Sequence, residues 1–110
     1  MHELAITQSV VEAVTERTGS APVTSVRLRV GRLAGIVPDA MRFCFELVTA
    51  GTPLEGAALE FEQPEGRGRC RSCDAEFVLA DLILLCDCGS ADVEVLAGRE
   101  LAVASVVLAS

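Results

Sequence analysis

Lysine, tryptophan and tyrosine are absent from the chain, and histidine occurs once. All nine basic residues are arginine, which excludes Schiff-base chemistry and the phosphate-binding lysine of a P-loop. A serine–histidine–aspartate triad would have to recruit His2, at the very start of the sequence. No apolar run reaches the ~18 residues needed to cross a bilayer. The first residues also lack the basic start and apolar centre of a signal peptide, so a cytoplasmic location is expected. Positive charge is scarce: 16 acidic residues oppose 9 basic ones, giving a net charge of −7. That balance argues against binding to nucleic acid or to an anionic membrane. The aromatic residues are all Phe and make up only 4%, which leaves few platforms for stacking on bases.

Apolar residues are plentiful, at 51% of 110. They suffice for a core, yet a chain this short gains from a staple such as a metal. The apolar pattern changes period along the chain. Residues 4–18 read as a helix, with Ile6, Val10, Ala13 and Val14 in one stripe and Leu4 and Val11 widening it; Gly19 is its stop. Residues 23–31 switch to period two, with Val26, Leu28 and Val30 alternating with Arg27 and Arg29, as in a half-buried strand. Gly31 to Gly35 reads as a turn. A second helix opens at Val37-Pro38-Asp39, where proline suits the first turn and an acid suits the positive end of the helix dipole. Its surface is mostly apolar: Met41, Phe43, Cys44, Phe45, Leu47 and Val48. Cys44, between two phenylalanines, is expected to be a buried core thiol. Residues 58–62 alternate again, and Gln63 to Gly68 looks like a linker. Residues 99–108 are a continuous apolar run, expected to be a strand buried on both faces or beside a helix and returning to the first sheet.

The fold class expected is α/β: a small two-helix, three-strand domain formed by 1–65 and 98–110, into which a four-cysteine zinc-ribbon module, 66–97, is inserted. Five cysteines without a secretion signal fit a disulfide framework poorly. Four of them form two close pairs, Cys70-x2-Cys73 and Cys86-x-Cys88, the latter followed by Gly89. Four thiolates suit tetrahedral Zn²⁺, and a closed site of this kind is ordinarily structural. The second pair is one residue shorter than the usual CxxC. Either that knuckle is compressed, or the site is strained and labile, or another ligand such as Asp87 replaces a cysteine. Arg67, Arg69 and Arg71 lie beside the pair and can offset the −2 charge of a zinc tetrathiolate.

The second constellation is Met1-His2-Glu3. A free α-amine, the His2 amide and the His2 imidazole can close fused chelate rings, and Ni²⁺ and Cu²⁺ favour square-planar nitrogen sites of that type. Glu3 adds an amide nitrogen or a carboxylate. Taken alone the signal is weak, because a terminal histidine is ordinarily solvated and Glu3 equally complements the helix dipole.

Taken in order, Met1-His2-Glu3-Leu4 before an amphipathic helix, Val26-Arg27-Leu28-Arg29-Val30-Gly31, Pro38-Asp39-Ala40-Met41-Arg42-Phe43, Cys70-x2-Cys73, Cys88-Gly89-Ser90 and Gly98-Arg99-Glu100-Leu101 resemble the HypA/HybF family of hydrogenase maturation nickel metallochaperones. The resemblance covers essentially the whole chain. It implies a Ni²⁺-binding domain and a structural zinc domain, with His2 as the essential nickel ligand, helped by Met1 and Glu3. Cys70, Cys73, Cys86 and Cys88 match the family's zinc ligands, and Asp39 is an auxiliary candidate for nickel. The implied partners are a maturation GTPase and the hydrogenase large subunit; some members also serve urease maturation. A monomer or weak homodimer, with no nucleic-acid or membrane partner, is expected. The competing reading is a small zinc-ribbon adaptor that binds protein or nucleic acid without moving nickel. An enzyme is not expected, because no nucleophile–base set is present.

Overall fold

The computed structural model describes residues 3–109, arranged in the order α1 (Glu3–Thr18), β1 (Val23–Val30), α2 (Pro38–Thr49), β2 (Ala58–Glu62), β3 (Gly66–Cys70), β4 (Glu76–Leu79), β5 (Val93–Ala97) and β6 (Leu101–Leu108). The described chain divides into two compact units. One comprises 3–28, Ile36–Glu62 and 102–109; the other comprises Arg29–Gly35 and Gln63–Leu101.

The first unit is built on a three-stranded sheet in the order β2-β1-β6. The alternation in β1 is as expected: Val26, Leu28 and Val30 are buried while Arg27 and Arg29 are exposed. β6 returns to this sheet beside β1. The Ala109 N–H donates to Pro22 O at 2.9 Å and the Gly31 N–H to Glu100 O at 2.9 Å, an antiparallel arrangement. α1 packs against α2, and Val10, Val11, Val14, Met41 and Phe45 are buried. At α1 the expected stripe is partly corrected: Leu4 and Ala13 are exposed, and the buried polar Thr7 fills the stripe instead. Its hydroxyl is satisfied by donating to Glu3 O at 2.5 Å, which is how a threonine sits inside a helical core. Gly19 ends the helix at φ +61°, its N–H reaching Thr15 O at 2.8 Å.

α2 departs from the sequence reading. Met41, Phe45 and Thr49 are buried at four-residue spacing, but Phe43 and Leu47 are 64% and 60% exposed, and Cys44 is half-buried rather than a core thiol. A helix lying on one side of a sheet has only one face to bury, so an all-round apolar helix leaves part of its surface in water. β6 departs more sharply. None of its eight residues is buried: it lies at an edge, with β1 between it and β2, and an open cavity between α1 and Val103 to Val106 shows that the helix layer does not close over it.

The second unit is a smaller antiparallel sheet in the order β4-β3-β5. β3 contains Gly66-Arg67-Gly68, expected to be linker. Gly66 pairs with Leu79 and Gly68 with Phe77. The two glycines are needed for packing: a Cβ at Gly66 would lie 2.5 Å from Leu33 Cδ1, and one at Gly68 would lie 2.9 Å from both Leu79 Cδ1 and Val93 Cγ1. Leu33, from the stretch expected only to turn, is buried with Cys70, Leu79, Cys86 and Val93 in this unit's core. Phe77, Leu84 and Val95 pack around that cluster.

Candidate metal centre

β3 delivers Cys70 to the end of the small sheet, and a tight turn brings Cys73 back beside it. The Cys73 N–H points at Cys70 Sγ at 3.4 Å. Cys86 and Cys88 come from the loop ahead of β5, whose Val93 is registered opposite Cys70. The four Sγ atoms all lie within 4.8 Å of one another. Across the two pairs, Cys70 Sγ is 3.7 Å from Cys88 Sγ and Cys73 Sγ is 3.6 Å from Cys86 Sγ. A tetrahedron with Zn–S bonds of ~2.3 Å has edges of about 3.8 Å. The sulfur cage therefore fits a Zn²⁺-sized ion with little adjustment, and four soft thiolates are the donor set such an ion takes. Asp87 is exposed and not part of the cluster, so replacement of a cysteine by Asp87 is not what the geometry shows.

The shortened second pair is accommodated by contraction of one plan. In the first knuckle the Cys70 N–H donates to Ala75 O at 2.9 Å, five residues on, and the Asp74 N–H returns to Cys70 O at 2.8 Å. In the second the Cys86 N–H donates to Ser90 O at 2.9 Å, four residues on, and the Gly89 N–H returns to Cys86 O at 2.9 Å. Each span loses one residue and both bonds survive. The residue that closes each loop has positive φ: Asp74 at +67° and Gly89 at +94°. The two knuckles are tied together by the Arg71 N–H to Asp92 O at 2.9 Å and by the Ser72 and Ser90 hydroxyls at 3.0 Å.

The electrostatics of the four thiols are uneven. The Cys73 amide at Cys70 Sγ holds that thiol down at about 6, against the opposing effect of burial, with the Ser72 amide and the Cys88 and Cys73 thiols helping. The Cys88 amide favours the thiolate of Cys86, but burial and the neighbouring Cys73, Cys88 and Cys70 sulfurs outweigh it and push Cys86 up to about 12. The cage thus opposes carrying four negative charges until a cation neutralises them.

The arginines beside the cage are engaged elsewhere. Arg69 meets Glu94 at 2.9 Å and Arg71 meets Asp92 at 2.9 Å, while Arg67 faces Glu76 at 3.9 Å. They pair with carboxylates on the same unit rather than forming a bare basic stripe.

Met1 and His2 lie outside the described residues. Glu3 is described: its Oε2 accepts the Val37 N–H at 3.4 Å, at the residue that caps α2. Val37 has no side chain able to cap, so a carboxylate from α1 serves at the positive end of α2. Asp39 does not take the cap position. It stands in the first turn, 95% exposed, and accepts from Arg42 Nη1 at 3.2 Å. The structure brings the four cysteines together and sets Glu3 at the start of α2. The capping contact of Glu3 carried no signal in sequence, because it joins residues 34 apart.

Comparison with known proteins adds the family. A family model described as hydrogenase/urease nickel incorporation, metallochaperone, HypA matches residues 1–108. A hydrogenase maturation factor HypA of Nostoc punctiforme is 45% identical over 106 residues, spanning 96% of this chain and 94% of the relative. Another from Geotalea uraniireducens is 51% identical over 104 residues, spanning 94% of each. Among solved structures, that of the Ni metallochaperone HypA from Helicobacter pylori superposes with a TM-score of 0.66 at 19% identity, over 98% of this chain and 97% of that one. That likeness shows a shared fold.

Proposed function

Since the chain belongs to the HypA family of hydrogenase/urease nickel-incorporation metallochaperones, we propose that it binds Ni²⁺ at Met1-His2-Glu3 and delivers it for maturation of nickel–iron hydrogenase. The observation that carries the reading is the match over residues 1–108, which includes that tripeptide. The unit containing α1 and α2 would carry the nickel end. The unit containing β3, β4 and β5 would hold Zn²⁺ on Cys70, Cys73, Cys86 and Cys88, where the ion supplies a structural cross-link between two loops. The client-side partners are a maturation GTPase and the hydrogenase large subunit, met in the cytoplasm. Among the described residues no helix is long and apolar enough to cross a membrane.

Delivery requires selective binding and ready release. A terminal site fits this because it has few ligands and uses nitrogens that must be deprotonated, the α-amine having a reference pKa of ~7.8 and histidine ~6.5. Nickel binding therefore weakens as pH falls. No part of the reading makes the chain a catalyst: it holds and hands over an ion.

The test is a nickel titration of the zinc-loaded chain with an untagged N-terminus, beside His2→Ala. Binding of one Ni²⁺ per chain, lost in the variant while zinc is retained, supports the reading. Equal binding by both proteins, or none by either, overturns the Met1-His2-Glu3 site and leaves a zinc-stapled adaptor as the better description.

A further inference from the structure

The loop between β4 and the second knuckle puts apolar side chains into water. Leu82, Ile83 and Leu85 are 60%, 69% and 54% exposed, and only Leu84 of this run packs against the core cluster. The loop holds its shape through bonds of its own: Asp81 Oδ1 accepts the Ile83 N–H at 2.9 Å, and Ile83 O accepts the Leu85 N–H at 3.1 Å. Beside it, an open cavity of about 350 Å³ is lined by Phe77, Val78, Ile83, Leu85 and Asp87. Val78 is itself exposed on β4, an edge strand of the small sheet. Scattered exposed apolar residues are ordinary, but a contiguous group around one cavity marks a surface that another molecule covers.

Charge says what kind of molecule that is. Residues 72–98 contain no basic residue and six acids: Asp74, Glu76, Asp81, Asp87, Asp92 and Glu94. Four of the six meet arginines that precede the segment. Glu76 faces Arg67, Asp74 and Glu94 face Arg69, and Asp92 faces Arg71. Asp81 and Asp87 have no arginine among the described residues. Both are exposed, and they bracket the apolar run.

We propose that the 82–85 loop and its cavity dock a partner protein through an amphipathic basic segment. Its apolar side chains cover Val78, Ile83 and Leu85, and its arginines or lysines stand against Asp81 and Asp87. The apolar contact supplies affinity, while the two carboxylates select the sign of the partner and speed encounter. The same carboxylates disfavour the other occupants. A second copy of the chain would bring like charges to the loop and a further net charge of −7, and an anionic membrane would be repelled in the same way. The inference is independent of nickel binding.

The experiment is amide-resolved NMR of the zinc-loaded full chain, titrated with a synthetic amphipathic helical peptide that has leucine on one face and arginine on the other. Two companion peptides replace every arginine by glutamate or every leucine by serine. With the leucine–arginine peptide, amide shifts should gather on residues 76–88, saturate, and diminish as salt is added. Each companion should bind at least about tenfold more weakly. Leu82→Ser and Ile83→Ser should each weaken binding about tenfold. Asp81→Asn with Asp87→Asn, which keeps an acceptor for the Ile83 N–H, should weaken it about fivefold. Leu96→Ser, at an exposed apolar position on β5, should leave it unchanged. Zinc content and unshifted amides outside the loop verify that each variant is folded. Shifts centred elsewhere, or a serine-for-leucine peptide that binds as tightly as its parent, overturn the proposal. So do shifts in this loop that follow protein concentration alone, or that phosphatidylcholine vesicles produce and the peptide does not, since a second copy or a bilayer would then be the occupant.

Discussion

The contracted knuckle makes a graded prediction at Gly89. This residue closes the Cys86–Ser90 loop at φ +94°, where an L side chain is strained although nothing lies within 4 Å of its Cβ position. The cost of substitution is therefore conformational and owes nothing to crowding. For alanine in the left-handed region that cost is about 1–2 kcal/mol. Asparagine tolerates positive φ better, and a β-branched residue tolerates it worst. The loop must adopt this shape to present Cys86 and Cys88 together, so the strain is subtracted from metal binding. Zinc affinity should fall in the order Gly89, Gly89→Asn, Gly89→Ala, Gly89→Val. The alanine variant should be weaker by about tenfold, 1.4 kcal/mol. The assay is competition for Zn²⁺ against a chromophoric chelator at fixed pH. Equal affinities for the glycine, alanine and valine forms would refute the argument that positive φ at this residue is what allows a one-residue spacer. Asp74, which closes the longer knuckle at φ +67°, offers an internal comparison: Asp74→Val should weaken zinc in the same way.

Three further outcomes follow from the same unit. At Gly31 an added Cβ would sit 2.0 Å from the Gly98 carbonyl oxygen and 2.5 Å from Glu100 Oε1, so Gly31→Ala must displace backbone; it should cost about 3 kcal/mol or more, read as a lowered denaturation midpoint of the zinc-loaded chain. Leu33→Ala removes a side chain that is 4% exposed and packed on Cys70 and Cys86, and should cost about 2–5 kcal/mol, whereas Arg71→Ala breaks only an exposed pair and should cost less than ~1 kcal/mol. Zinc binding should release protons. With Cys86 pushed up to about 12 its thiol is protonated at neutral pH and must ionise on binding, so affinity falls by at least about tenfold per unit as pH drops; below about 6 the fall steepens because Cys70 also becomes protonated. A pH-independent zinc affinity between 8 and 5.5 would contradict this.

Much of the fold could be read from period and punctuation. β1 showed itself by strict alternation around Val26, Leu28 and Val30, and α2 by proline in its first turn. The cysteine cage was legible for a different reason: close spacing within each pair leaves thiols little choice of neighbour. The parts that were not legible depend on layer position and long-range packing. An apolar run such as Leu101–Leu108 looks the same whether it lies in the middle of a sheet or at its edge, since hydropathy reports what a strand could bury and not what is there to cover it. Gly66 and Gly68 read as a flexible joint because glycine is permissive in isolation; in the fold they are required by Leu33, Leu79 and Val93. Leu33 itself could not be placed, because its partners, from Gly66 onwards, are 33 or more residues away in sequence.

The two knuckles set their buried thiols differently. The first, with two residues between its cysteines, turns the Cys73 and Ser72 amides towards Cys70 sulfur, and that thiol ionises readily. The second, with one residue between, has the Cys88 amide at Cys86, and that thiol resists ionisation. The Cys88 amide favours the Cys86 thiolate, and what outweighs it is burial together with the three neighbouring sulfurs, not a missing amide. A cation among the four sulfurs removes that opposition, so both buried thiols, Cys70 and Cys86, are open to it as ligands. Cys70→Ser and Cys86→Ser should each lower zinc affinity by about tenfold or more, 1.4 kcal/mol. Chelator competition decides it: a variant that binds zinc as tightly as the unaltered chain would remove that cysteine from the site.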